Sequence, residues 1–124
     1  MLVIDSRWTS AALPRREASA FLKESCPWAD EDAVLLVISE LVGNAIRHTG
    51  GPWRLRLQQS GAALVADVED AGTAVPVRVQ PDADRAREGG RGWHIADCLT
   101  SELQVIPHDD GKTVRAVWHR QHTA

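Results

Sequence analysis

The segment from Glu31 to Arg47 constrains this chain more than any other. Val34, Leu35, Val37, Ile38, Leu41, Val42, Ala45 and Ile46 recur there at helical spacing, which predicts one long amphipathic helix. Asp30 is the type of residue that caps a helix start, and Glu31 and Asp32 suit the positive end of the helix dipole. Thr49-Gly50-Gly51-Pro52 ends the pattern.

Around this helix the remaining elements fall into a simple order. Leu2 to Trp8 reads as a short strand, and Pro14 opens a helix to about Lys23 with Ala18, Phe21 and Leu22 inward. Trp53 to Gln59 alternates apolar and polar residues, Ser60-Gly61 signals a hairpin, and Ala63 to Asp70 returns as its second strand. Ala71 to Gly90 has no periodicity, and loops of that length are usually functional or disordered. A helix from Arg91 to Thr100 follows, then strands at Glu102 to Ile106 and Thr113 to His119 joined by a turn at His108-Asp109-Asp110-Gly111. The expectation is a two-layer α/β (α+β) sandwich, with helices on one face of a mixed, largely antiparallel sheet. With 124 residues, it is one domain spanning 1–124.

Composition narrows the function. A net charge of −3 gives no overall attraction for nucleic acid, so no direct nucleic-acid contact is expected. No apolar run is long enough to span a bilayer, and the first residues lack signal-peptide order, so the expected location is the cytoplasm. Cys26 and Cys98 form no CxxC pair, and the five histidines show no ligand spacing. The five tryptophans are scattered among the elements and read as core or rim packing, and His48 as a cap at the end of the long helix.

Three signals carry chemistry. Glu40 and Asn44 lie four apart on one face of the apolar helix. They are either an edge Glu and Asn, or an amide oxygen for Mg²⁺ with a carboxylate one turn earlier as proton acceptor. Asp70 ends a strand whose period places Leu64, Ala66, Val68 and Asp70 together, with Asp67 and Glu69 on the opposite, solvated face. It either starts a turn or accepts a hydrogen bond from a buried donor such as the amine of adenine, with Gly72 allowing close approach to the ring. Gly89-Gly90-Arg91-Gly92 opens a helix, where free backbone N–H groups suit phosphate. Gly111-Lys112-Thr113 imitates the end of a P-loop, but it lies in a strand–turn–strand context with Ile106 in place of the first glycine.

Taken in order, these segments resemble the GHKL ATPase superfamily. Ser39-Glu40-Leu41-Val42-Gly43-Asn44-Ala45-Ile46-Arg47-His48-Thr49 resembles its N box, and Asp67-Val68-Glu69-Asp70-Ala71-Gly72-Thr73 with Pro76 its G1 box. Gly90-Arg91-Gly92-Trp93-His94-Ile95-Ala96 resembles G2, and Gly111-Lys112-Thr113-Val114 the hairpin that closes the adenine pocket. In G1, Ala74 stands where the pattern has a second glycine. Glu40 and the short length are similar to the anti-sigma-factor serine kinases of actinobacterial type. The resemblance implies a Bergerat-type fold, ATP and Mg²⁺ as ligands, the metal at Asn44, and base catalysis at Glu40. It implies adenine recognition by Asp70 with Gly72 and Thr113 nearby, and phosphate contacts from Arg47, Gly90 and Gly92. It further implies a homodimer that binds a sigma factor or phosphorylates a serine of an antagonist protein, with Arg15 or Arg16 as a partner contact. All of this requires Asn44 and Asp70 to share one hollow.

Overall fold

The computed structural model describes residues 1–8, 14–49, 52–71 and 90–120. Strand β1 (Leu2–Asp5) runs into a 3-10 turn at Ser6–Trp8, so the first strand is shorter than alternation alone predicts. Helices α1 (Arg15–Ser25) and α2 (Glu31–Thr49) follow, then the hairpin β2 (Trp53–Ser60) and β3 (Ala63–Asp70). Helix α3 (Gly90–Leu99) leads to a second hairpin, β4 (Glu102–His108) and β5 (Gly111–His119).

The strands form one sheet in the order β1-β2-β3-β5-β4. Every pairing among them is antiparallel, so the parallel component allowed by a mixed sheet does not occur among the described strands. The β2–β3 turn needs Gly61, whose φ of 59° lies in the left-handed region that side chains disfavour.

Alternation sorts the strands into two faces. Leu55, Leu57, Leu64, Ala66, Val68, Val114, Ala116 and Trp118 form the helix-covered face. Against them α2 buries Val34, Leu35, Val37, Ile38, Leu41, Val42 and Ala45, which makes it the central rod of the helix layer. Its start is held as expected, with the Ala33 N–H donating to Asp30 Oδ1 at 3.2 Å. At its end Thr49 Oγ1 donates to the Ala45 carbonyl at 2.8 Å, a capping role expected of His48. Trp53, Trp93 and Trp118 are buried and Trp28 packs against the core, whereas Trp8 is exposed. None of the described helices is long and apolar enough to cross a membrane.

The other sheet face corrects one expectation. Asp67 is buried rather than solvated, because Arg115 grips it from the neighbouring strand at 2.8 and 3.1 Å. Asp5, on the same face, bonds Arg7 at 3.0 and 2.7 Å and Arg54 at 3.4 Å. Those bonds, chiefly from Arg7, hold its carboxyl well below the usual carboxylate range.

Candidate functional site

A small enclosed cavity lies between the helix layer and the sheet. Its walls are Leu41, Asn44, Ala45 and His48 of α2, Trp93 of α3, Asp70 of β3, and Lys112 and Val114 of β5. Asn44 and Asp70 therefore share one hollow. Each is there for a local reason. Asn44 falls on the buried stripe of α2 next to Leu41 and Ala45, and Asp70 continues the inward period of β3.

Asp70 stands directly opposite Lys112 across the β3–β5 ladder, and Lys112 Nζ lies 3.0 Å from Asp70 Oδ1. The two side chains are only 2% and 4% exposed, so a buried ion pair forms part of the floor of the pocket. Gly111 makes this approach possible: a Cβ there would sit 2.0 Å from the Asp70 carbonyl oxygen. Only glycine lets β5 begin so close to the end of β3.

Thr113, expected beside the adenine, is one residue out of phase. It pairs with Glu69 on the opposite sheet face, where its hydroxyl lies 2.7 Å from His108 Nε2. Strand period two sends Lys112 inward and Thr113 outward. Lys112 is the site residue that sequence reasoning missed, and the signal was available: it shares parity with the buried Val114 and Ala116.

The phosphate-side residues are placed less uniformly. Gly90 and Gly92 lie in the first turn of α3, whose N–H groups have no partners within the helix and so suit an anion. Trp93, from the same turn, lines the cavity and has a buried indole Nε1 with no hydrogen-bond partner. Arg47 is exposed on α2 and donates through a guanidinium nitrogen to Asn44 Oδ1. Glu40 is half-buried one turn before Asn44 and does not line the cavity. Gly72 lies outside the described residues, as does Gly89.

These residues fit a magnesium nucleotide in their chemistry. The Asn44 amide oxygen is a hard donor of the kind Mg²⁺ takes, once Arg47 releases it. Among the described residues no three His, Cys, Asp or Glu side chains gather to hold a metal. An ion here would take most of its ligands from phosphate and water, as magnesium commonly does. The indole N–H of Trp93 is a buried donor without an acceptor, which a bound polar ligand would satisfy. In volume the cavity is about 10 Å³, room for about one water, so a purine enters only if its walls separate.

The sequence profile of the histidine kinase-like ATPase domain matches residues 4–118. The chain belongs to that family. The domain is therefore of an ATP-binding kind, and the GHKL resemblance holds at the level of the superfamily. Among solved structures, the histidine kinase AdeS of Acinetobacter baumannii has a similar fold, with a TM-score of 0.57 and 15% identity. The likeness covers 76% of this chain and 49% of that chain, so the domain spans about half of its length. At that identity the likeness concerns the fold alone. No curated protein matches the sequence.

Proposed function

We propose that this ATPase domain is a serine protein kinase of the anti-sigma-factor type, acting in the cytoplasm as a homodimer. Its partners would be a sigma factor, a small antagonist protein that carries the acceptor serine, or both. The observation that carries the reading is the spacing of Glu40 and Asn44 one turn apart on α2, with Asn44 facing the cavity that contains Asp70. In this reading Asp70 receives the adenine amine, Asn44 holds magnesium, and Arg47 with the Gly90–Gly92 turn receives the phosphates. When bound, Mg-ATP supplies the transferable phosphoryl group and the metal offsets its charge. The Glu40 carboxylate accepts the proton of the incoming serine hydroxyl. Arg15 and Arg16, exposed on α1, offer cationic contacts to the partner.

Capture of native partners with and without ATP, followed by phosphosite mapping, tests the proposal. Mg-ATP is expected to raise the melting temperature, since a ligand of the native state adds about 2.7 kcal/mol at a hundred times its Kd. Glu40→Ala should keep that shift and lose phosphoserine on the partner. Unchanged transfer in Glu40→Ala would remove the catalytic assignment. A second reading, an ATP-sensing module that binds partners without transfer, draws support from Ala74 in G1 and from the Arg47 bond to Asn44. It predicts ATP-dependent capture with no phosphosite.

A further inference from the structure

We infer that Lys112 is a base-reading residue of the nucleotide site. Its ammonium would donate to the adenine ring nitrogen next to the amine that Asp70 receives. The inference rests on the reading of the cavity as a purine site, and it adds a residue that the GHKL motif comparison left unassigned.

A cation is costly to place in such a cavity. The Lys112 side chain is 4% exposed, and its neighbours in the cavity include Leu41, Ala45, Trp93 and Val114. A buried charge needs compensation by partners, and an ammonium has three N–H donors. Among the described residues Asp70 is its one hydrogen-bond partner, at 3.0 Å. Donor capacity therefore remains on a group that lines the cavity.

Position makes that capacity useful. Asp70 and Lys112 are direct cross-strand partners, and the two strand ends approach so closely at Gly111 that a Cβ there would meet the Asp70 carbonyl. The pair is thus part of the hydrogen-bonded sheet floor, while Leu41, Asn44, Ala45 and Trp93 come from the helices. If the walls separate to admit a purine, the floor keeps an acceptor and a donor side by side. Adenine presents the complement: an exocyclic amine flanked by ring acceptors, N7 on one edge and N1 on the other. With the amine on Asp70, a flanking nitrogen lies next to the ammonium.

Binding of ATP, 1-deaza-ATP and 7-deaza-ATP to the wild-type protein, measured calorimetrically, tests this without any variant. The analogue that lacks the contacted nitrogen should bind about 10- to 100-fold more weakly than ATP, the range of one charge-assisted hydrogen bond. Lys112→Met should bind ATP more weakly and lose the discrimination against that analogue. If both analogues bind the wild type as tightly as ATP, the inference is overturned. It is equally overturned if Lys112→Met keeps the discrimination, because Lys112 is then only a counter-ion to Asp70. Failure of ATP itself to bind is a separate result, which overturns the purine reading along with this one.

Discussion

Strand β3 carries two carboxylates on opposite sides of the sheet, and each meets a basic residue of β5 across the ladder. Asp67 pairs with Arg115 on the face away from the helices, and Asp70 pairs with Lys112 beneath them. The chemistry is alike but the surroundings differ. Arg115 is 39% exposed, so its guanidinium can turn to water if its partner is lost. Lys112 has no such escape. One pair fastens two strands through a cation that reaches water, whereas the other brings both charges into a closed cavity where a ligand can use them. Desolvation, more than ion pairing as such, separates a scaffold contact from a site.

Removal of each carboxylate is the most direct way to break that contrast. Asp70→Ala strands a buried ammonium and should cost about 3–5 kcal/mol of stability in urea denaturation. Asp67→Ala should cost about 1 kcal/mol or less. Equal losses would mean that burial does not distinguish the two pairs.

A smaller effect is expected where the strands meet. Gly111→Ala forces a methyl group onto the Asp70 carbonyl and should cost about 1–3 kcal/mol, with weaker ATP binding because the floor shifts. Gly61→Ala meets nothing within 4 Å and strains only the turn, so its cost of about 1 kcal/mol should leave ATP affinity unchanged. A Gly111→Ala protein with native affinity would show that the floor tolerates movement.

The open face has its own acid-sensitive contact in Asp5. Its native carboxyl titrates below the ordinary value, so its contribution is complete above the unfolded pKa of about 3.9 and is lost as pH falls toward the native value. Between roughly pH 5 and 2 the wild type should lose stability faster than Asp5→Asn, and the two should converge in acid. Parallel curves would mean that the arginines do not favour the charged form.

Much of this architecture was legible from local pattern. The stripe from Val34 to Ala45 announced α2, and the alternation around Trp53 to Asp70 announced the first hairpin. Asp30 capped its helix as its residue type predicts. Asp67 is buried because the β3–β5 register sets Arg115 opposite it, whereas Thr113 faces away from the cavity because it is out of phase with Val114 on β5 itself. Parity along a single strand shows which residues share a side. It does not show which residue of a distant strand stands opposite.

From its sequence alone this chain determined its helix and strand periods, its turns, and the family to which it belongs, because these depend on residues close together in the chain. Tertiary structure decided that β5 lies beside β3, that Gly111 brings their ends into contact, and that Lys112 becomes the buried partner of Asp70. Cross-strand register and desolvation arise only when segments 42 positions apart meet, so no local pattern carries them.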